Sequence, residues 1–315
     1  MLPRLIAGRI LTSLFTLLLV SIIVFAAVEA IPGDAATRLA GRDSTPEQVE
    51  VLRLQMGLDV PLWQRYLNWL GGVARGDLGR SLTSKRPVGE VLAPRLANTA
   101  WMGGLAFLLY VPFCLCIGVV QAIRRHRPVD HVLSVVTLVL LSMPDFLIAT
   151  ILLLVFAVLL HWLPAMSVIS ASTPFGAKLA ACVLPAVTLA LIMGVYAVRM
   201  LRDNLIEILD ADFIRMAELK GLGPARVIWR HALPNALVPT LNITALNLAY
   251  LIGGVVVVER VFSFPGFGSL MVDALKLLDE PVIAATVLIA ATVYIAANLV
   301  ADIAAILLNP RLRTA

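Results

Sequence analysis

Apolar residues come in long blocks along the chain. Six stretches, 10–28, 99–123, 132–160, 179–198, 236–258 and 282–308, are dominated by Leu, Ile, Val and Ala. At 1.5 Å per residue, about 20 helical residues cross a hydrocarbon layer of roughly 30 Å, so each block is long enough for one membrane helix. Lipid offers no partner to an unpaired peptide group, which makes helix the expected conformation. The first block follows Arg4 and Arg9, the order of charge and apolar core in a signal peptide. A signal core is only about 7–15 residues, so this run is expected to stay as a spanning helix. Met143-Pro144-Asp145 interrupts the third block, and a proline inside a helix removes a hydrogen bond and bends it.

Two polar regions separate the blocks. In 32–98, Thr45-Pro46-Glu47-Gln48 combines an N-cap, a proline at the first helical position and a capping-box glutamine. Pro61 opens a second helix with Leu62, Trp63, Tyr66, Leu67, Leu70 and Val73 on one face, and 75–81 then reads as a loop. This region is either a helical cap on the membrane or a docking surface, the latter carried by Trp63 and Tyr66. The second region, 210–239, predicts two helical pieces broken at Gly221-Leu222-Gly223-Pro224. Its first piece interleaves Phe213, Ala217 and Leu219 with Asp212, Arg215, Glu218 and Lys220. Such a helix lies flat under a membrane or sits in a groove of a partner protein.

Composition closes off soluble folds: 60% of residues are hydrophobic and 14% charged, with a mean hydropathy of +0.93, against about 25% charged in soluble domains. The net charge of +5 is informative by position. Arg124, Arg125 and Arg127, then Arg199 and Arg202, then Arg311 and Arg313 mark short loops or ends. Clustered arginines stay in the cytoplasm, so both termini are expected there. No basic patch interleaved with exposed aromatics points to nucleic acid. Cys114, Cys116 and Cys182 all fall in apolar blocks and read as inert thiols.

Several polar residues inside or beside the blocks are candidates for a pathway. Asp145 is a carboxylate within a block, by default a functional residue, although neighbouring helices could equally satisfy it. Asn242, Thr244, Asn247 and Tyr250 form a polar stripe on the fifth block, read either as interhelical hydrogen bonding or as pathway lining. Glu259 opens a turn through Phe264-Pro265-Gly266. There is no phosphate-binding G-x-x-x-x-G-K-[ST] loop, no metal-ligand spacing and no G-x-S-x-G nucleophile motif.

Four separated motifs carry a resemblance. Gly221 and Leu233-Pro234 stand at the spacing of the EAA loop of ABC importer permeases, although of the EAA triplet, at Arg215-Met216-Ala217, only Ala217 matches and His231 replaces the usual Ile. Gly57-Leu58-Asp59 with Pro61-Leu62-Trp63, the Gly-Asp-Leu-Gly-Arg-Ser run ending at Ser81, and Val256-Val257-Val258-Glu259 with Pro265-Gly266 resemble the dipeptide/oligopeptide/nickel branch. Asn309-Pro310-Arg311 is similar to its Asp-Pro-Arg tail.

The resemblance implies an all-α polytopic bacterial inner-membrane permease subunit. It would have six membrane helices, a helical periplasmic insertion after the first, and a cytoplasmic coupling-helix loop between the fourth and fifth. The divisions are 1–31, 32–98 and 99–315, the last containing the coupling loop 199–235. That loop would dock through Asp212, Arg215, Met216, Ala217, Lys220, Gly221, Leu222, Leu233 and Pro234. The implied partners are a second homologous permease, two ATP-binding cassette subunits that hold ATP and Mg, and a periplasmic or lipid-anchored substrate-binding protein. Membrane lipid surrounds the chain, which itself is expected to bind no cofactor or metal and to catalyse no reaction. Asp145, Asn247, Tyr250 and Glu259 are the expected pathway residues, and Trp63, Tyr66, Phe264, Pro265 and Gly266 the outer gate or docking face. Di- or oligopeptides are the leading cargo, with nickel, glutathione and opines as alternatives. A rival from another class is an ion-coupled secondary transporter with Asp145 as its coupling carboxylate.

Overall fold

A computed structural model describes residues 2–30, 35–40, 45–55, 59–170, 172–253 and 255–308. The elements in chain order are α1 (Leu2–Glu29), α2 (Ala35–Ala40), α3 (Pro46–Gln55), α4 (Leu62–Ala74), α5 (Val88–Ile123), α6 (Pro128–Ser142) and α7 (Asp145–Leu153). They continue with α8 (Phe175–Leu209), α9 (Asp212–Leu219), α10 (Pro224–Arg226), α11 (Leu233–Gly253), α12 (Val255–Val261), α13 (Phe267–Leu277) and α14 (Glu280–Leu308). Two π-helical turns, Leu154–Leu159 and Val227–Ala232, continue α7 and join α10 to α11. The described residues form no strand.

Among the described residues, four helices are long and apolar enough to cross a membrane: Ala7–Glu29, Val88–Ile123, Phe175–Leu209 and Glu280–Val300. The third apolar block departs from a single span. Its two halves, Pro128–Ser142 and Asp145–Leu159, meet at 111°. Met143 and Pro144 are extended, with ψ of 137° and 145°. A residue before proline is pushed out of the helical region, so the break is steric and far sharper than a bend within one helix.

The core is built around α5 and α8, which pack along their length, with α11 against α8 and α14. Tyr110, Cys114, Leu184, Leu189, Met193, Leu201 and Leu205 fill the seam. Close approach depends on small residues: a Cβ on Gly194 would meet the Phe113 ring at 2.6 Å. α5 starts eleven residues before the expected 99 because Pro87 opens the helix in extended conformation and the helix runs on through Pro94 and Pro112.

The region after α1 folds as its sequence directs. Thr45 N donates to Gln48 Oε1 (3.1 Å) and Gln48 N donates to Thr45 Oγ1 (3.4 Å), the reciprocal capping box. α4 lies against one end of α1. Tyr66 Oη and Ser21 Oγ share a 2.8 Å hydrogen bond, Arg65 pairs with Glu29 at 2.6 Å, and the Tyr66 ring meets Phe25 edge-on at 5.4 Å.

Candidate functional site

The two ends of the bundle are built differently. At one end, α9 hangs from the core by Ile214 and Ala217, both buried. Phe213, Met216 and Leu219 face outward, 49%, 55% and 78% exposed, and form an apolar ridge. An amphipathic helix normally turns such residues inward; here the inward positions are taken by Ile214 and Ala217.

The α9 terminus shows why glycine stands at 221. Gly221 has φ of +79°. Its N–H donates to Glu218 O (2.9 Å), and Leu222 N–H donates to Ala217 O (3.4 Å). These bonds make a Schellman motif with glycine in the left-handed position. Gly223 is extended, and Pro224 starts the next helical piece. Leu222, Val227, Ala232, Leu233 and Ala236 join the same core cluster as Ile214 and Ala217. The predicted set from Asp212 to Leu222 thus forms one helix and its stop, while Leu233 and Pro234 begin α11.

Two arginine–carboxylate pairs brace this end. Arg125 Nη1 and Nη2 donate to both oxygens of Asp210, at 2.5 and 2.7 Å. Arg125 holds the Asp210 carboxyl below the usual carboxylate range through that hydrogen bonding. Arg202 Nε and Nη2 donate to Asp130 Oδ1 and Oδ2, both at 2.8 Å. Asp130 also accepts from His126 N (3.1 Å) and Ser134 Oγ (3.3 Å) and is only 2% exposed. The sequence does not show Asp130 or Asp210 as paired; it marks Arg125 and Arg202 as cytoplasmic, with Arg202 and Asp210 in a stretch of nearly balanced charge that suggests a protein-contact surface.

At the other end, Glu259 is fully buried. Thr99 Oγ1 donates to Glu259 Oε1 (2.5 Å) and Ser269 N to Glu259 Oε2 (2.7 Å). Asn98 Nδ2 donates to Pro265 O (3.0 Å) and Phe267 N to Thr99 Oγ1 (2.8 Å). The turn is therefore stitched to the first third of α5. A Cβ on Gly266 would collide with the Glu259 carboxyl, so that position has room only for glycine. Phe264 is buried, and Trp63 and Tyr66 lie on the separate α4–α1 contact.

A second buried carboxylate, Asp279, was not legible in the sequence. It accepts from Ser81 Oγ (2.6 Å), Leu82 N (3.0 Å), Thr83 N (3.2 Å) and Thr83 Oγ1. Burial pushes its pKa up, the donors outweigh burial, and the carboxyl settles below its ordinary value. This catch fastens the loop after α4 to the start of α14.

The remaining pathway candidates scatter. Asp145 is half-buried in the first turn of α7, just past the break, where a carboxylate suits the helix N-terminus. Asn247 Nδ2 donates to Met193 O (3.0 Å), and Thr244 Oγ1 shares a 2.8 Å bond with Tyr110 Oη. These two stripe residues therefore make interhelical bonds joining α11 to α8 and α5. The side chains of Asn242 and Tyr250, and the 309–313 tail, lie outside the described residues.

Residues 115–314 match the family of binding-protein-dependent transport system inner membrane components, and residues 1–102 match the N-terminal family of the same membrane components. The chain belongs to this family. It is the membrane permease subunit of an ABC importer and not an enzyme. Such a permease works with ATPase and substrate-binding partners in the inner membrane. Among its relatives, the glutathione transport system permease protein GsiC of Escherichia coli is 33% identical over 305 residues, 97% of each chain. The protein of the same name from Salmonella choleraesuis is 34% identical over the same span, with the same coverage.

Proposed function

We propose that this permease forms half of the translocation pathway of an importer for glutathione or similar short peptides, and that α9 is the element its ATPase grips. The observation that carries the second part is the ridge of Phe213, Met216 and Leu219. Three large apolar side chains on one short helix, rigidly stopped at Gly221, fit a hydrophobic groove in a partner. In this reading both termini and α9 are cytoplasmic, and the arginine clusters support that side. Six membrane crossings follow when α6 and α7 together count as one and α11 as another. The region 32–98 is then a helical insertion on the periplasmic side, with the Glu259 turn as the outer gate. A second homologous permease completes the pathway, and two ATPase subunits hold ATP and Mg.

ATP-driven closure of the ATPases would move α9, and the bundle would switch between inward- and outward-open states. The cargo assignment leans on the glutathione permeases among the relatives, since the separate binding protein selects what is delivered.

The test uses the assembled complex in proteoliposomes. Phe213→Ser with Met216→Ser and Leu219→Ser leaves Ile214 and Ala217 in place. It is expected to reach the membrane at normal levels, lose co-purifying ATPase and abolish uptake. Retention of both ATPase and uptake would overturn the docking assignment. Labelled glutathione chased by unlabelled dipeptides tests the cargo: failure of glutathione to enter, or to be displaced, would overturn that part alone.

A further inference from the structure

We propose that the turn between α5 and α6 is a second strut of the coupling machinery, and that Arg125, Asp130, Arg202 and Asp210 are positioning residues that make α5, α6, α8 and α9 move together. The inference rests on the reading that the ATPase moves α9.

The geometry is specific. Asp210 ends α8 and stands two residues before α9. The bidentate bond from Arg125 therefore holds the corner that sets the direction of α9. Arg125 itself sits in a short turn held from the other side. His126 adopts a left-handed backbone, φ 63°, and its N–H donates to Asp130. Asp130 in turn receives two guanidinium bonds of Arg202 from α8, whose Nη1 donates to Asp203 Oδ1 (2.7 Å). Gln121 Nε2 donates to Ser134 Oγ, at 3.3 Å, tying the end of α5 to the same site. The loop is thus pinned at two points, Arg202 on α8 and Asp210 just past its end.

Without this brace, α9 would be attached to the bundle by its two buried side chains and by chain connectivity. A force applied to the exposed ridge would then tilt α9 on its own. With the brace, the same force reaches α5 and α6 through Arg125, as well as α11 through the Pro224 piece. Exposed ion pairs contribute little to stability, and the Arg125–Asp210 pair is exposed on both sides. Its bidentate geometry instead fixes an orientation, which is what a strut requires.

The experiment compares Asp210→Ala, Arg125→Ala and the exchanged pair Arg125→Asp with Asp210→Arg in the reconstituted complex. Uptake and ATP hydrolysis are measured in the same vesicles. Each single variant is expected to keep its membrane level, its bound ATPase and its hydrolysis, while uptake per ATP falls about fivefold, the size of a modest coupling free energy. The exchanged pair is expected to restore the ratio. A purely structural pair would lower protein level and leave uptake per ATP unchanged, and that result would overturn the strut. Loss of bound ATPase in the ridge variant, together with a normal ratio in these variants, would overturn the strut while keeping the docking reading.

Discussion

Carboxylates serve both ends of the bundle, but they serve them differently. Glu259 and Asp279 collect donors from serine and threonine hydroxyls and from backbone N–H groups. At the α9 end, Asp130 and Asp210 instead receive arginine forks. The first arrangement shapes a backbone: it leaves a turn or loop one conformation and buries the carboxyl group. The second links rigid helices by side chains that can pivot as bodies. The first end also leaves its turn residues Phe262 and Phe264 fully buried, whereas the second presents apolar residues outward. A closed end whose carboxylates are held by donors and an open, apolar end fit a machine that is pushed from one side.

Breaking the closed end is expected to have the largest effect on folding. Glu259→Ala removes an acceptor from two elements at once, α5 and α13, and strands Thr99 and the Ser269 N–H. Leaving buried donors unsatisfied costs about 1–3 kcal/mol each. Thermal unfolding in detergent is expected to move to lower temperature together with loss of folded protein in the membrane. Wild-type thermal stability in this variant would show that the turn is held by apolar packing alone. Gly266→Ala offers the same test from the opposite side, by overfilling the space against Glu259.

The Asp279 catch comes next. Asp279→Ala is expected to release the 81–83 loop, at a cost of roughly 2 kcal/mol for a buried carboxylate with several donors, and to raise protease sensitivity there while α9 stays protected. The pH dependence follows from the lowered pKa. A carboxyl whose folded pKa lies below its unfolded value of about 3.9 adds stability above that value and loses it as pH falls through the folded pKa. Protection of the loop that persists in strong acid would contradict this.

Much of this was readable beforehand, and the reasons for the rest are specific. Blocks 10–28, 99–123, 179–198 and 282–308 lie within α1, α5, α8 and α14 because apolar length alone decides them. The capping box at Thr45 and the stop at Gly221 were readable because they depend on residues three or four apart. The setting of Asp145 was only partly readable, since the sequence shows that a proline interrupts the third block but not that its halves meet at 111°. The polar clasps were hidden for a different reason. Arg125 and Asp210 are 85 residues apart, Asp130 and Arg202 are 72 apart, and Ser81 and Asp279 are 198 apart. Only the fold brings such partners together. Among the expected pathway residues, Asn247 and Glu259 carry polar side chains, which the sequence shows, but their partners inside the chain are visible only in three dimensions.

The smallest expected effect on stability falls at the α9 stop, and it separates folding from function. No atom lies within 4 Å of a Cβ placed on Gly221, so a side chain there meets no steric obstacle. The cost is conformational: a left-handed residue with a side chain is disfavoured by roughly 1–2 kcal/mol. Gly221→Val is therefore expected to insert and fold nearly as well as wild type. The backbone can relieve its strain by turning out of the left-handed region, and that would break the bonds from Gly221 and Leu222 to Glu218 and Ala217. The ridge would then point elsewhere, and uptake is expected to fall well beyond what the small stability loss explains. Gly221→Asn, which tolerates the left-handed conformation better, is expected to recover part of it. Uptake that tracks stability alone across glycine, asparagine and valine would mean that the direction of α9 is set elsewhere, leaving the Arg125–Asp210 brace as the element that aims it.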